Sequence, residues 1–151
     1  MIIHCRHIPC NRSIYMMAHH SILLIDDSAG ERELFRVALA KTGLDVILFT
    51  EQNAQAALHF LKNHSDLPSL ILLDWNLGAE CGDGFLSRLR ADPRLAPLPV
   101  VVFTTSDDPT DVTTAYAGGA NGYVVKPGTF DELVQCTADI CRYWMDRNRT
   151  V

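Results

Sequence analysis

Five polar side chains, each following a short apolar run, are the residues in this sequence best suited to chemistry. Asp26 and Asp27 follow the run SILLI, Asp74 follows SLILL, Thr104 follows VVVF and Lys126 follows YVV. Clustered carboxylates repel one another, and a divalent cation with oxygen ligands compensates them; Mg²⁺ suits best because it also accepts phosphate oxygens. A lysine and a threonine beside such a site can bind the oxygens of a transferring phosphoryl group, and an aspartate can be its covalent acceptor.

The segments around these residues alternate between apolar runs and helix-period stretches. The runs predict strands at 21–25, 45–50, 69–73, 100–103 and 123–125, and helices follow at about 28–43, 52–64, 85–90, 109–117 and 130–144. The strands are apolar on both faces, as parallel strands covered by helices must be. We therefore expect a doubly wound, flavodoxin-like α/β fold with a central five-stranded parallel sheet.

Local signals mark where these helices begin and which face they bury. Ser28 with Glu31 has the form of a capping box, as does Thr129 with Glu132, and Gly43 is a natural C-cap. In the first helix, one face is predicted to contain Leu34, Val37, Ala38 and Lys41, and in the second Ala54, Ala57, Leu58 and Leu61. A glycine-rich loop through Gly78, Gly82 and Gly84 is predicted before the third helix.

The placement of the polar residues is what makes them informative. In an open parallel sheet, ligands bind beyond the carboxyl ends of the strands, so we expect the five side chains to converge at one edge. Each has an ordinary alternative: Asp26 and Asp27 could cap a helix, Asp74 could be a solvated turn residue, Thr104 an ordinary strand end and Lys126 an ordinary loop lysine. The glycine motifs of dinucleotide-binding and P-loop proteins are missing from the sequence.

Composition restricts the remaining classes of function. The 151 residues have a net charge of −5, the wrong sign for a domain that grips nucleic acid, and no apolar run is as long as a membrane helix. Five irregularly spaced cysteines favour a reducing compartment, and hence a cytoplasmic location.

The chain is expected to form one domain with short extensions. Residues 1–20 are predicted to be a flexible N-terminal extension, 21–146 the domain and 147–151 a C-terminal tail. The extension contains four residues of zinc-ligand type, His4, Cys5, His7 and Cys10. They lie very close together in the sequence, with no second cluster to close a fold, so a mobile tail is favoured over a zinc site.

From Ser21 to about Trp144, the chain resembles the response-regulator receiver domains of two-component signalling. The acidic pair Asp26-Asp27, then Asp74, Thr104 and the dipeptide Lys126-Pro127, correspond to that family's acidic pair, phosphoacceptor, hydroxyl residue and lysine-proline. The separations of 30 residues from Asp74 to Thr104 and of 22 from Thr104 to Lys126 are also similar to those of the family.

The resemblance implies a role for each matching residue. Asp74 would accept a phosphoryl group from the phosphohistidine of a sensor histidine kinase. Asp27, Asp74 and the backbone carbonyl of Asn76 would hold Mg²⁺, with Asp26 assisting through water. The remaining roles are phosphoryl binding and switching by Thr104, Thr105, Lys126 and Tyr123, and tuning of aspartyl-phosphate hydrolysis by Asn76 and Ser106. Such a protein would catalyse only its own phosphorylation and dephosphorylation.

Further stretches look like the small receivers that partner bacterial and cyanobacterial phytochrome histidine kinases. They are Asp74-Trp75-Asn76-Leu77, the segment 92–100, Thr104-Thr105-Ser106 and Tyr143-Trp144. With no effector domain, we expect output through protein contacts, phosphate shuttling or use as a phosphate sink. We also expect homodimerisation through the fourth helix, fifth strand and fifth helix. Trp144 could instead complete the core stripe of the last helix. The sequence departs from the family at Gly78, where proline is usual, which predicts a more mobile loop.

Two other functions use the same residues. A Mg²⁺-dependent phosphohydrolase would share the carboxylates and the lysine, but its dehalogenase-like form needs Asp-x-Asp after the first strand, where this chain has Ser28. A receiver that no longer uses phosphate would be a scaffold, and the presence of every key residue argues against it.

Overall fold

The computed structural model describes residues 20–147. All but the innermost residues of the predicted N-terminal extension and C-terminal tail lie outside this part of the chain, as does the cluster of His4, Cys5, His7 and Cys10. The predicted domain boundaries therefore stay a prediction.

The centre of the molecule is a parallel sheet of five strands, as predicted. The strands are β1 (Ser21–Ile25), β2 (Ile47–Glu51), β3 (Leu70–Leu73), β4 (Val100–Thr104) and β5 (Gly122–Val125). Their order in the sheet is β2-β1-β3-β4-β5. Strands β1, β3 and β4 are buried throughout, whereas the edge strands β2 and β5 are only partly buried.

Five α-helices cover the two faces of this sheet. They are α1 (Ala29–Thr42), α2 (Ala54–Asn63), α3 (Gly82–Ala91), α4 (Pro109–Ala117) and α5 (Phe130–Cys141). One apolar cluster joins the sheet to α2, α3 and α4, and the other joins it to α1 and α5. Within residues 20–147, none of the helices has the length and apolar character needed to cross a membrane.

The predicted cap residues and the face of α2 are confirmed, whereas the face of α1 is not. Ser28 and Thr129 cap their helices, Gly43 ends α1 with a left-handed φ of 71°, and α2 buries Ala54, Ala57, Leu58 and Leu61. Asn53 and Asp108 are also N-caps. In α1 the buried residues are Phe35, Ala38 and Leu39, while Leu34 and Val37 are exposed. Apolar residues occupy almost the whole circumference here, so that periodicity alone does not fix which face is buried.

Several predicted boundaries also move, including the end of the last helix, which lies at Cys141 rather than near residue 144. Strand β2 begins at Ile47 rather than at residue 45, because the Val46 N–H donates to the Leu44 carbonyl in a tight turn (3.1 Å) before pairing with β1 begins. Helix α3 begins at Gly82 rather than at residue 85, so Gly82 and Gly84 belong to the helix and not to a loop.

A short antiparallel ribbon, Asn76–Leu77 paired with Glu80–Cys81, replaces most of the predicted glycine-rich loop. Its two-residue turn begins at Gly78, whose φ of 68° lies in the left-handed region. Proline, with its φ fixed near −65°, cannot adopt this conformation. The turn therefore gives a physical reason for the departure from the usual proline.

The chain continues past α5 in six residues of π-helix, Arg142–Arg147. This turn contains the two aromatic side chains that the sequence singles out, whose rings contact each other edge to face with centroids 5.2 Å apart but differ in burial. Trp144 packs against the apolar cluster of α1 and α5, whereas Tyr143 is 55% exposed. The Trp144 ring also lies over Gly122, where an added Cβ would be 3.5 Å from it. Trp144 is thus partly a core residue.

The start of α3 depends on close packing at Gly82. A Cβ added there would lie 2.7 Å from the buried ring of Trp75, while the nearest group to a Cβ at Gly84 is the Arg88 guanidinium at 3.8 Å. We predict that Gly82→Ala lowers the free energy of unfolding by about 1–3 kcal/mol through overpacking. Gly84→Ala, the matched control in the same helix, should raise it by about 0.4–1 kcal/mol. Urea unfolding measures both, and equal effects of the two variants would contradict the packing argument.

Candidate functional site

Asp26 is held rigidly at the carboxyl end of β1. Its N–H donates to the Glu51 carbonyl (3.1 Å), and its own carbonyl accepts from the Arg32 guanidinium (2.7 Å). Its Oδ1 accepts from the Ser28 N–H (2.9 Å), and its side chain is only 2% exposed. The neighbouring Asp27 is exposed. One carboxylate of the acidic pair is therefore part of the buried structure, and the other is open to solvent.

The parallel pairing of β1 with β3 brings Asp74 beside this pair. Ile25 is opposite Leu73 in the register, and the Asp74 N–H donates to the Ile25 carbonyl (2.9 Å). The Asp74 Oδ1 accepts from the Asn76 N–H at 3.2 Å. The predicted convergence of the three carboxylates is present, since one oxygen from each of Asp26, Asp27 and Asp74 lies within 4.8 Å of the others.

These oxygens fit a small divalent cation. Mg²⁺ binds oxygen at 2.0–2.1 Å, so two ligands on opposite sides of it lie about 4.2 Å apart. The three oxygens lie within 4.8 Å of one another, so no pair exceeds this span by more than about 0.6 Å, and the donors are all of the hard oxygen type that Mg²⁺ prefers. Asp26, Asp27 and Asp74 could therefore hold one ion after a small adjustment.

Lys126 places its ammonium beside these carboxylates. Its backbone N–H donates to the Thr104 carbonyl (2.7 Å), which fixes the end of β5 against β4. Its Nζ is 2.7 Å from Asp26 Oδ2 and 3.4 Å from Asp74 Oδ2, and the side chain is 7% exposed. Burial lowers the pKa of this ammonium, but the Asp26 hydrogen bond and the surrounding carboxylate charges outweigh burial and raise the pKa above its usual value.

For the carboxyl group of Asp74, burial outweighs the interactions that favour the charged form. Burial raises the pKa of its carboxyl group above the usual range, and the charge of Asp26 raises it further. The ammonium of Lys126 and hydrogen bonds from Thr104 and Asn76 offset this only in part. The site therefore holds a carboxylate that lacks full compensation, which is the condition under which an added cation binds favourably.

The loop after β4 ties the site to its neighbours. Thr104 is buried, Thr105 is exposed, and the Ser106 N–H is 3.4 Å from the Thr104 hydroxyl. The Ser106 hydroxyl donates to Asp111 Oδ2 at 2.6 Å, and the Ser106 carbonyl accepts from the Tyr123 hydroxyl at 2.9 Å. Ser106 thus joins the end of β4 to both α4 and β5.

Sequence reasoning missed three residues of this neighbourhood. Arg32 holds the carbonyl of Asp26, Asp111 holds the hydroxyl of Ser106, and Glu31 Oε2 is 3.5 Å from Lys126 Nζ. Arg32 and Asp111 are isolated charges on helices and have no signal in a single sequence. Glu31 does have a signal, but the capping motif offered a sufficient explanation for it.

The fold and the arrangement of strand-end residues match those of a known family. The model of the response regulator receiver domain matches residues 22–138. The chain belongs to this family. Receivers work in two-component signalling, so a histidine kinase is the implied partner, and the family consists of signalling proteins rather than conventional enzymes.

Among its relatives, this receiver is 32% identical to the response regulator Rcp1 of Synechocystis over 130 residues, which is 83% of this chain and 88% of Rcp1. It is 33% identical to the probable methanogenesis regulatory protein FilR2 of Methanothrix harundinacea, over 85% of this chain and 86% of that one. A structure of phosphorylated RcpA, a cyanobacterial phytochrome response regulator, aligns with a TM-score of 0.80 at 29% identity, covering 88% of this chain and 99% of RcpA. Rcp1 has a structure in an Mn²⁺-bound form, with a TM-score of 0.75 at 30% identity, covering 87% and 99% of the two chains.

The buried charge of Asp74 has a measurable cost. Because its pKa is raised in the folded state, folding opposes ionisation, and stability falls as the pH rises through that pKa. We predict that Asp74→Asn raises the free energy of unfolding at neutral pH without divalent cations by about 0.5–2 kcal/mol. The gain should disappear at a pH low enough to protonate Asp74 in both folded and unfolded chains.

Urea unfolding across pH, with and without MgCl₂, tests this prediction. Asp45→Asn, which removes an exposed carboxylate far from the site, is the control and should change stability little. Mg²⁺ should stabilise the unmodified protein more than Asp74→Asn, because the variant lacks one ligand. A loss of stability in Asp74→Asn at neutral pH would contradict the electrostatic argument.

Proposed function

We propose that this receiver is switched by phosphorylation of Asp74 and that it signals through a protein-binding surface. The observation that carries the proposal is the position of Asp74, a largely buried carboxylate between an acidic pair and the ammonium of Lys126. The Asp74 N–H donates to the Ile25 carbonyl, and the Asp74 carboxylate accepts from the Asn76 N–H. These two bonds fix the orientation of the carboxylate, which favours its attack on phosphorus.

In the proposed reaction, a carboxylate oxygen of Asp74 attacks the phosphorus of a kinase phosphohistidine. The P–N bond breaks, an O–P bond forms, and the histidine nitrogen leaves with the electron pair and takes up a proton. Lys126 and the Thr104 hydroxyl would bind the phosphoryl oxygens, and exposed Thr105 would lie beside them. Mg²⁺, held by Asp26, Asp27, Asp74 and the Asn76 backbone carbonyl, would supply compensation for the charge that develops on those oxygens.

The proposed switch begins at Thr104. Its hydroxyl would turn toward the phosphoryl group, and the contacts of Ser106 would transmit the movement to Tyr123. Support comes from the hydrogen bond between the Tyr123 hydroxyl and the Ser106 carbonyl, which links the two segments directly. Asn76 and Ser106 would tune hydrolysis of the aspartyl phosphate. The Ser106 hydroxyl would do so only in competition with its bond to Asp111.

The proposed surface consists of α4, β5 and α5, and we propose that it forms a homodimer. Tyr116 on α4, Val125 on β5 and Tyr143 after α5 are large apolar or aromatic side chains that are 45–55% exposed. A groove between β5 and α5, of about 460 Å³, ends at Tyr143 and Trp144. Aromatic residues of this kind often dominate the binding energy of interfaces.

The proposed kinase partner is a phytochrome-type histidine kinase. The support is the similarity to RcpA, described as a cyanobacterial phytochrome response regulator, over nearly the whole of that protein. We further propose a cytoplasmic protein that does not bind nucleic acid directly, in line with its acidic net charge of −5.

Phosphorylation is tested with acetyl phosphate and Mg²⁺, and in parallel with a phosphorylated phytochrome-type kinase. Intact-mass spectrometry should find one phosphoryl group on the protein and none on Asp74→Asn. The matched control is Asp83→Asn, which removes an exposed acid from the first turn of α3 and should leave labelling intact. Labelling that persists in Asp74→Asn would show that Asp74 is not the phosphoacceptor. Labelling by acetyl phosphate but not by the kinase would show that a phytochrome-type kinase is not the partner.

Dimerisation is tested by light scattering of the phosphorylated protein. Tyr143→Ser should weaken the dimer by about tenfold or more, because it removes a large aromatic contact, while leaving phosphorylation unchanged. Leu34→Ser, at a comparably exposed residue of α1, is the control and should leave the dimer intact. A dimer insensitive to Tyr143→Ser, or a protein that stays monomeric when phosphorylated, would count against this surface.

A further inference from the structure

Glu31 occupies the position of a capping-box glutamate, but the box is only half formed. The Ser28 hydroxyl accepts from the Glu31 N–H at 3.2 Å, as the motif predicts. The reciprocal bond would run from the Ser28 N–H to the Glu31 carboxylate. Instead, the Ser28 N–H donates to Asp26 Oδ1 at 2.9 Å. The helix cap therefore does not use the carboxylate of Glu31.

This carboxylate reaches into the phosphorylation site. Glu31 Oε2 is 3.5 Å from Lys126 Nζ, and the Glu31 side chain is 45% exposed while that of Lys126 is 7% exposed. Lys126 thus has three carboxylate neighbours: Asp26 at 2.7 Å, Asp74 at 3.4 Å and Glu31 at 3.5 Å. Of these three carboxylates, that of Glu31 is much the most exposed, at 45% against 2% for Asp26 and 12% for Asp74.

We propose that Glu31 is a positioning residue that restrains Lys126 and slows phosphorylation by anionic donors. This inference rests on the proposed phosphorylation of Asp74. An ammonium has three N–H donors; Lys126 directs hydrogen bonds to Asp26 and Asp74, and Glu31 is an ion-pair partner at 3.5 Å. When Lys126 turns toward a phosphoryl oxygen, it must move within the attraction of these carboxylates, and the exposed ion pair with Glu31 is the weakest of the three contacts.

The net charge of the site supports the same role. The three aspartates of the cluster, the ammonium of Lys126 and one bound divalent cation together balance to neutrality. Arg32, whose guanidinium binds the Asp26 carbonyl, and Glu31 then add one charge of each sign, and of these two only Glu31 is an ion-pair partner of Lys126. An incoming phosphodonor is itself an anion, so the half-exposed Glu31 carboxylate beside Lys126 opposes its approach to the ammonium.

The test compares initial rates of phosphorylation by acetyl phosphate with Mg²⁺ in two variants of α1. Glu31→Gln removes the charge beside Lys126 and should raise the rate at low donor concentration by about two- to fivefold. Glu33→Gln is the matched control, since Glu33 is 66% exposed and pairs with Arg36 at 3.1 Å rather than with the site. Because the effect is electrostatic at a half-exposed carboxylate, it should shrink in high salt.

Each outcome decides the question. Unchanged rates in Glu31→Gln, an equal acceleration in Glu33→Gln, or an acceleration independent of salt would overturn the role of Glu31 while leaving phosphorylation of Asp74 intact. Absence of label on the unmodified protein would overturn the proposed function and this inference with it. Glu31→Ala, which also removes the reach of the side chain, should reproduce the acceleration, and unfolding curves identify any loss of fold in either variant.

Discussion

The rest of the structure depends on the enforced proximity of two carboxylates, Asp26 and Asp74. Parallel pairing of β1 and β3 places them side by side at the end of the sheet, where burial and the charge of Asp26 both oppose the ionisation of Asp74 and raise its pKa. One ammonium, that of Lys126, stands against this repulsion. The folded site thus carries negative charge that is not fully compensated, and this charge lowers the stability of the fold. A bound cation, or a phosphoryl group together with its cation, would compensate it.

The strand order explains how distant residues meet this constraint. Strands β1 and β3 are neighbours inside the sheet, β4 adjoins β3, and β5 adjoins β4. Residues 26, 74, 104 and 126 therefore lie at the carboxyl ends of four neighbouring strands. The backbone bond from Lys126 to the Thr104 carbonyl holds the last two together. The same topology leaves β5 at the margin of the sheet, where its outer side is available to a partner.

The central strands, the helix caps and the convergent site could be predicted because each has a short-range signal: apolar runs, capping residues and strand-end polar groups. The face of α1 could not, since apolar residues surround that helix and tertiary packing selects Phe35 over Leu34. The ribbon at Asn76–Leu77 and the early start of α3 depend on the contact of Gly82 with Trp75, which no local pattern encodes. The sequence predicts that the Glu31 carboxylate accepts from the Ser28 N–H in a capping box. In the folded chain this N–H donates to Asp26 instead, and the sequence alone does not show that competition.

The contacts of Ser106 determine how far a change at the site can spread. Its hydroxyl is bonded to Asp111 on α4 and its carbonyl to the hydroxyl of Tyr123 on β5, while its N–H faces Thr104. A movement of Thr104 toward Asp74 cannot be absorbed within this loop, because every polar group of Ser106 already has a partner. The movement must break one of these bonds or displace the first turn of α4 and the Tyr123 ring together. Since both lie on the proposed partner surface, Ser106 links the site to that surface, beside the direct bond between the Lys126 N–H and the Thr104 carbonyl.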